Sequence, residues 1–198
     1  DMERCIACGE CAAKCPKKVD SEDDAATGTR KSIYVKYAQA VPLKYQIDER
    51  NCIMLAKGKC GICEKICPAD AVNFKDTDKM HTVNVGAIVM APGFEAFDPS
   101  AAGVWGYGRY PNVITSLQFE RILSASSPFA GEIKRPSDER HPRKVAWIQC
   151  VGSRDPHNAN PWCSSVCCMY ATKQAVIAKE HDGSIQPTVF YMEMRAFG

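Results

Sequence analysis

The sequence lacks the features that mark membrane, secreted and nucleic-acid-binding proteins. In its 198 residues, no apolar run approaches the roughly 18–20 residues that a helix needs to cross a bilayer. The start shows no signal-peptide pattern of a charged end, an apolar centre and a small-residue cleavage site. The formal net charge is only +2, and the densest basic stretch, residues 133–144, is interleaved with acids and prolines. We therefore expect a cytoplasmic protein with no direct membrane insertion and no nucleic-acid partner.

Familiar catalytic and nucleotide-binding motifs are also missing. No G-x-G-x-x-G motif follows a predicted strand, so the sequence has no dinucleotide fingerprint of the usual kind. The 4 histidines stand singly, and neither a Ser-His-Asp nor a paired-carboxylate arrangement can be argued. We therefore name no catalytic residue, and we interpret the histidines as surface or helix-end residues.

Cysteine, by contrast, is abundant. The 12 cysteines fall into three groups of four: Cys5, Cys8, Cys11 and Cys15; Cys52, Cys60, Cys63 and Cys67; and Cys150, Cys163, Cys167 and Cys168. Disulfides would be one explanation in a small secreted protein. Groups of four thiolates, with none left over, are instead what a metal centre needs, either zinc or an iron–sulfur cluster.

The first two groups belong to an internal repeat, in which CGECAAKCP (residues 8–16) matches CGICEKICP (residues 60–68). With Cys5, the first copy completes C-x2-C-x2-C-x3-C-P, the run of bacterial ferredoxins, whose fourth cysteine reaches the other cluster. A pair of zinc knuckles is the alternative. The repeat predicts two four-iron clusters that exchange their last ligands: cluster one takes Cys5, Cys8, Cys11 and Cys67, and cluster two takes Cys52, Cys60, Cys63 and Cys15.

The third group lies in a predicted strand–helix–strand unit. A strand ends near Cys150, a helix is predicted from Cys163 to His181, and a second strand follows, so the two strands should be parallel and joined by a right-handed crossover. Cys150 then lies at the carboxyl end of a strand, where open α/β sheets place their ligands, and it faces the positive end of the helix. Cys163 and Cys167 are four apart and should share a helix face.

We predict that the four cysteines of this group, Cys150, Cys163, Cys167 and Cys168, bind a third four-iron cluster. Cys168 is turned by about 100° from Cys167 and fits only at a helix start or in a distorted first turn. The other eight cysteines already require iron–sulfur chemistry, which favours the same chemistry here. Three alternatives remain: a buried apolar helix with incidental thiols, a redox-active cysteine pair, and a zinc site.

The region between the repeat and this unit contains three further predicted elements. AVNFKDTDKMHTVNV (residues 71–85) predicts a hairpin, and VGAIVMAPGF (residues 85–94) predicts a strand buried on both faces. SLQFERILSAS predicts a helix with Phe119, Ile122 and Leu123 at helical spacing. Either Ser116 or Thr115 is the expected N-cap of that helix.

Several longer stretches resemble one family. They include YAQAVPLKYQID, KGKCGICEKICPADAV, VGAIVMAPGFEAFDP, IQCVGSRD and WCSSVCCMYATKQAVIAKEH. With further stretches that together cover nearly the full sequence, they are similar to the A subunit of heterodisulfide reductase. The resemblance implies an iron–sulfur flavoprotein in which a ferredoxin domain is inserted into a thioredoxin-reductase-like flavin module. It also implies FAD in the full-length protein, with a possible flavin contact at Ala91, Pro92 and Gly93.

The resemblance sets the expected fold, which is α+β. A two-cluster bacterial ferredoxin-like domain is expected over residues 1–80 and part of an α/β flavin-binding module, with a linker, over residues 81–143. The β-α-β unit with the third cysteine site occupies residues 144–198. Both ends of the sequence look cut, so we expect an internal segment that is catalytically incomplete and holds FAD weakly or not at all.

The function implied by the resemblance is single-electron transfer between a flavin and partner subunits of an oxidoreductase. The expected partners are other heterodisulfide-reductase-like subunits and an electron-donating dehydrogenase or hydrogenase subunit. Two alternatives stay open. One is the A subunit of a quinone-interacting membrane-bound oxidoreductase, which uses similar modules, and the other is a non-catalytic scaffold with zinc in its four-cysteine sites.

Overall fold

The chain divides into two compact units, Asp1–Pro92 and Gly93–Gly198. A computed structural model describes residues 1–158 and 160–196. Helices and strands are mixed along the chain, which confirms the predicted α+β class. The boundary between the units follows Pro92, whereas the sequence predicts the end of the ferredoxin-like domain at residue 80. The division into three parts stays a prediction.

The first unit is built from short elements. Its helices are α1 (Glu10–Lys14), α2 (Ile53–Lys57) and α3 (Ile62–Ile66), and its strands are β1 (Lys18–Asp20), β2 (Thr29–Lys31), β3 (Ile33–Tyr34) and β4 (Gln46–Ile47). β1 pairs with β2 and β3 pairs with β4, both antiparallel. α1 and α3 come from equivalent places in the two copies of the repeat, and they pack against each other.

The repeat in sequence gives a repeat in backbone geometry. α1 begins after Gly9, with φ +85°, and α3 begins after Gly61, with φ +132°. Both helices end at an extended cysteine, Cys15 or Cys67. A Cβ atom at Gly9 would lie 3.1 Å from the hydroxyl oxygen of Tyr45. Glycine is therefore favoured there by the left-handed backbone and by the close approach of Tyr45.

The second unit contains the predicted strand–helix–strand arrangement. After two 3-10 turns (Pro99–Ala101 and Gly103–Trp105), its elements are α4 (Ser116–Leu123), β5 (Lys144–Ile148), a 3-10 turn (Pro156–Asn158), α5 (Cys167–His181) and β6 (Gln186–Phe190). β5 pairs with β6 in parallel, with Lys144 opposite Gln186 and Ile148 opposite Phe190. The predicted parallel pair is thus confirmed, and α5 forms its crossover.

The core of this unit lies where α4 and α5 meet the two strands. Thr115 caps α4 in a reciprocal capping box with Gln118, which selects one of the two predicted N-caps. Its buried face is the predicted one and includes Phe119. The ring of Phe119 meets that of Trp147 edge to face, with centroids 5.4 Å apart. The remaining buried core residues are Leu123, Ile133, Ala171, Ala178 and Ile185.

A buried polar bridge ties these elements together. The indole nitrogen of Trp147 donates a hydrogen bond of 3.1 Å to the side-chain oxygen of Gln174. The amide nitrogen of Gln174 donates to the carbonyl of Ser116 (3.0 Å) and to the carboxylate of Glu120 (3.1 Å). Gln174 is only 1% exposed, so each of its polar atoms needs such a partner.

Two predicted elements are absent from the described structure. Residues 71–98 contain neither helix nor strand, so the predicted hairpin and the predicted buried strand are wrong. Ile88, Val89 and Met90 are 78%, 91% and 78% exposed. A strand buried on both faces needs hydrogen-bonded neighbouring strands and a layer of structure packed on each face of the sheet. The described residues form only two-stranded pairs, and none of them offers this segment a partner.

Within residues 1–158 and 160–196, no helix combines the length and the apolar composition that crossing a membrane requires.

Candidate metal centres

The first centre gathers cysteines from both copies of the repeat. Burial raises the pKa of the Cys11 thiol, a hydrogen bond from the Ala12 amide opposes that rise, and the nearby charges of Cys8, Cys5 and Cys67 raise it further. Cys67 therefore lies near the three cysteines of the first run. These are the four residues that the sequence groups into cluster one.

Tyr45 lies against the same centre. Burial raises the pKa of its hydroxyl, and the charges of Cys11, Cys8 and Cys5 add to the rise. Its hydroxyl also faces Gly9. A lone tyrosine between two strands has no sequence signature, so this neighbour of the centre could not be predicted.

The second centre is a small cavity. Its wall contains Cys15, Cys52, Cys60 and Cys63, the four residues that the sequence groups into cluster two. Apolar side chains complete the wall, among them Ile33, Ile47, Ile53 and Phe74. Burial raises the pKa of Cys63 to about 11, a hydrogen bond from the Glu64 amide opposes it, and the charges of Cys52 and Cys60 add to it.

Backbone amides and lysines offset part of the thiolate charge. The Ala71 amide donates to the Cys67 sulfur at 3.3 Å. Together with the amides of Ala69 and Val72, this contact lowers the pKa of Cys67. Lys44 donates to the carbonyl oxygen of Cys5, and Lys31 donates to that of Cys15. Each lysine therefore brings a positive charge close to a cysteine of a different centre.

The chemistry of these residues fits a four-iron cluster. All eight cysteines of the first two centres are soft thiol ligands, and two four-iron clusters need eight thiolates. A tetrahedral zinc site needs four sulfurs about 2.3 Å from one ion. Over the part of the chain that the structure describes, no group of three or more His, Cys, Asp or Glu residues could hold a single metal ion.

The third group lies around the carboxyl end of β5 and the start of α5. Burial raises the pKa of Cys150, the charges of Cys167 and Cys168 add to the rise, and Arg154 opposes it through its charge and a hydrogen bond. Cys167 and Cys168 are the first two residues of α5 and are buried, at 7% and 3% exposure. The structure thus brings Cys150, Cys167 and Cys168 together.

Cys163 is placed differently from the prediction. α5 begins only at Cys167, so Cys163 lies outside the helix, and the predicted shared helix face is wrong. The reason is local, because Ser165 has a left-handed backbone, with φ +63°, that a helix cannot include. Cys163 nevertheless lines the same cavity as Cys150 and Cys167. Its sulfur accepts a hydrogen bond from the Ser165 amide at 3.4 Å.

The loops that present this group have unusual backbone angles. Cys150 and Arg154 have φ +61° and +55°, which residues other than glycine seldom adopt. Gly152 lies between them with φ +74°, and a Cβ atom there would collide with the ring of Phe97. Strained backbone of this kind concentrates at functional sites, because surrounding structure must hold it in place.

Two arginines and one glutamate form an ion-pair bridge between the loops that follow β5 and β6. Arg154 forms an ion pair of 3.0 Å with Glu193, and Arg195 pairs with the same carboxylate oxygen. Sequence reasoning missed all three residues, because isolated charges carry no spacing signal.

The chain is similar to known iron–sulfur proteins. Residues 4–71 match the protein family described as 4Fe-4S dicluster domain. The whole chain aligns with the iron-sulfur A subunit of the CoB–CoM heterodisulfide reductase of Methanocaldococcus jannaschii, at 45% identity and over 29% of that protein. Over its whole length, the chain is similar to the A subunit of heterodisulfide reductase. The iron-sulfur A subunit 2 of the same enzyme from Methanopyrus kandleri is 47% identical, again over the whole chain and 29% of the relative.

A third relative has a more specific name. It is the A subunit of the H2/formate:CoB–CoM heterodisulfide,ferredoxin reductase of Methanococcus maripaludis, 46% identical over the whole chain and 29% of its own length. The chain thus spans less than a third of the length of these curated relatives. The identity extends through the second unit, so it is not limited to the widespread ferredoxin run.

Proposed function

We propose that this chain is an iron–sulfur electron-transfer segment of a heterodisulfide reductase A-like oxidoreductase subunit, and that it passes single electrons between a flavin and partner subunits. The observation that carries the proposal is the exchange of cysteines between the two repeats. Cys67 joins the first run, and Cys15 joins the cavity of the second. An exchange of this kind is typical of two-cluster ferredoxins.

We assign twelve thiols as ligands. Cluster one is held by Cys5, Cys8, Cys11 and Cys67, and cluster two by Cys52, Cys60, Cys63 and Cys15. The third cluster is held by Cys150, Cys163, Cys167 and Cys168. Support for the third set comes from the burial of Cys167 and Cys168 at the start of α5, where free amides and the helix dipole favour anionic sulfur.

The residues around the clusters bind them, orient them and exclude water. When bound, each cluster supplies one-electron chemistry. The wall that includes Ile33, Ile47 and Phe74 keeps water from the second centre. Backbone donors such as the Ala71 amide hold a thiolate in place and stabilise its charge. The side chains and amides around a centre then need to move little when the charge of that centre changes.

The second unit is proposed to be part of a flavin-binding module of the thioredoxin-reductase type. Support comes from its parallel β5–β6 pair with the α5 crossover, and from the family match across this unit. FAD, with a contact at Ala91, Pro92 and Gly93, belongs to the full-length protein in this proposal. The partners are other heterodisulfide-reductase-like subunits and an electron-donating dehydrogenase or hydrogenase subunit. A cytoplasmic location would keep the twelve thiols reduced.

Metal and flavin content test the proposal. Protein purified without oxygen should be brown, absorb broadly near 400 nm and contain about twelve irons per chain, with no zinc. The isolated segment should accept electrons from a chemical reductant but show no bound FAD and no turnover with NADH. Stoichiometric zinc in place of iron would refute the proposed electron-transfer function. Stoichiometric flavin on the isolated segment would refute the expectation that the segment is catalytically incomplete.

A further inference from the structure

Cys52 is the proposed ligand of the second centre that its own run of cysteines holds least. In the first copy of the repeat, two residues separate the first two cysteines, whereas seven residues separate Cys52 from Cys60. Helix α2 fills that gap. Cys52 is nevertheless buried, at 8% exposure, in the wall of the cavity. Because short spacing does not fix its position, other contacts must do so.

Asp48 supplies those contacts through a tight turn that ends at Cys52. Its carboxylate accepts hydrogen bonds from the backbone amide of Asn51 (3.3 Å) and from the side-chain amide of Asn51 (2.9 Å). Its carbonyl accepts from the Cys52 amide at 2.9 Å. The Asp48 amide donates to the carbonyl of Ser32 at 2.7 Å, and the Ser32 hydroxyl donates to the carbonyl of Asn51 at 2.9 Å. Ser32 itself lines the cavity, so the turn is fastened to the cavity wall.

Arg30 holds the same carboxylate in an ion pair that is largely shielded from water. Its Nη2 atom donates to Oδ2 of Asp48 at 2.9 Å, and the two side chains are 10% and 11% exposed. The guanidinium group also lies over the ring of Tyr34, 3.8 Å from its centroid. Its second carboxylate partner is Glu22, whose side chain is 72% exposed. Removing one partner of a shielded pair leaves the other charge uncompensated, so Asp48 and Arg30 depend on each other.

The first copy of the repeat has a similar turn in a more exposed setting. Asp1 stands four residues before its cysteine, as Asp48 does. The carboxylate of Asp1 accepts from the amides of Glu3 (2.9 Å) and Arg4 (3.2 Å), and both bonds are exposed to water. Its carbonyl accepts from the Cys5 amide at 3.2 Å. The shielded ion pair therefore accompanies the copy in which the cysteine stands far from its run.

We infer that the Arg30–Asp48 ion pair is a positioning device that holds Cys52 in the wall of the second centre, ready to bind iron. This inference rests on the ligand set proposed for cluster two. Arg30 and Asp48 are positioning residues, because they act through the turn that ends at Cys52. A ligand that is held in place beforehand needs less ordering when it binds, and it resists the loss of its iron afterwards.

Weakening the pair should loosen the iron that Cys52 binds. Ferricyanide is the probe: it takes one electron and becomes ferrocyanide, the bonds to one iron break, and that iron leaves as Fe²⁺. A three-iron cluster remains, and its net charge is lower by one. Arg30→Gln and Asp48→Asn each remove one charge of the pair. Since hydrogen bonds to charged groups are strong, either change should speed the loss of iron from cluster two about tenfold.

The test follows both ferredoxin clusters of the complete holo-protein by electron paramagnetic resonance and iron release during ferricyanide treatment. The signal of cluster two is the one that a Cys52→Ala variant loses. Glu22→Gln is the matched control, because it removes only the exposed partner of Arg30, and it should behave like the native protein. Arg30→Lys keeps the positive charge and should recover part of the native resistance. Asn51→Ala removes one bond to Asp48 but keeps the ion pair, so its effect should be smaller.

A specific loss from cluster two distinguishes positioning from a general structural role. Variants that keep the native circular dichroism but lose both clusters at equal rates would show that the pair does not act on Cys52, and the inference would be wrong. Loss from cluster two no faster than in Glu22→Gln would also overturn it. If Arg30→Gln and Asp48→Asn do not fold, Asn51→Ala decides, and native resistance in that variant would refute the inference.

The failure of the proposed function looks different. Native protein that contains zinc in place of iron, or that has no second cluster, would refute the ligand set, and the inference would fail with it. Native protein with both ferredoxin clusters, but with no selective loss in the variants, would leave the proposed function intact and refute the inference alone.

Discussion

Cys67 lies close to Cys11, although the two cysteines belong to different copies of the repeat. Cys15 meanwhile faces the cavity that contains Cys52, Cys60 and Cys63. In the proposed assignment each centre takes ligands from both copies, so neither half of the first unit would complete its own ligand set.

Paired cysteine substitutions should distinguish exchanged ligands from separate ones. Cys11→Ser with Cys67→Ser removes two ligands of one centre and should cost about four irons per chain. Cys11→Ser with Cys15→Ser removes one ligand from each centre and should reduce the iron content by more, because both clusters are weakened. Iron analysis and electron paramagnetic resonance of both double variants give the result. Equal losses of about four irons in the two variants would contradict the exchange.

Cys168→Ala should remove the third cluster and leave the ferredoxin pair intact. The side chain is 3% exposed at the start of α5, where the missing sulfur cannot be replaced by water without opening the core. The iron content should fall by about four per chain, while the ferredoxin signals persist. Met169→Ala, a neighbouring and partly exposed position, should keep the full iron content and serves as the control.

Gly9→Ala should weaken the first unit. A left-handed backbone costs a non-glycine residue about 1–2 kcal/mol, and the new Cβ would lie 3.1 Å from the Tyr45 hydroxyl oxygen. The urea concentration at which the cluster absorbance is half lost should therefore fall. Gly58→Ala shares the left-handed angle, with φ +65°, but has open space, so it should cost less. Adding Tyr45→Phe to Gly9→Ala should recover part of the loss, since the contacting oxygen is then gone.

Gln174→Leu should destabilise the second unit. It leaves the buried indole N–H of Trp147 without its acceptor, which costs about 1–3 kcal/mol. The midpoint of urea unfolding, followed by tryptophan fluorescence and circular dichroism, should fall. A double variant with Trp147→Phe removes the unpaired donor, so the two effects should be less than additive. Strict additivity would contradict a direct Trp147–Gln174 interaction.

The sequence predicted the ferredoxin run and the β-α-β unit well, because both depend on short-range spacing. The cysteines of a ferredoxin run lie only a few positions apart in the sequence, and so do the apolar residues of one helix face. Local backbone geometry therefore fixes where their side chains point. The grouping of Cys67 with the first run followed from the same pattern. The N-cap at Thr115 was one of two candidates, and only the reciprocal bond with Gln118 distinguishes it from Ser116.

The errors arose where structure depends on distant partners or on a single backbone angle. The apolar run around Val89 has the composition of a buried strand, but composition does not supply neighbouring strands. The left-handed backbone of Ser165 shortens α5 and displaces Cys163 from the helix. A serine in the sequence does not predict a positive φ angle. The Arg154–Glu193–Arg195 bridge joins residues from two different loops, so no periodicity in the sequence reveals it.

The exposed segment Ile88, Val89 and Met90 has a practical consequence for handling the protein. It is uncharged, rich in β-branched residues and free of proline until Pro92, which is the composition of segments that pair with copies of themselves. In the described structure, no strand covers its backbone. Concentrated solutions of this chain alone are therefore prone to self-association through Ile88, Val89 and Met90. A charged substitution at Val89, whose side chain touches little else, is a simple way to keep such solutions clear.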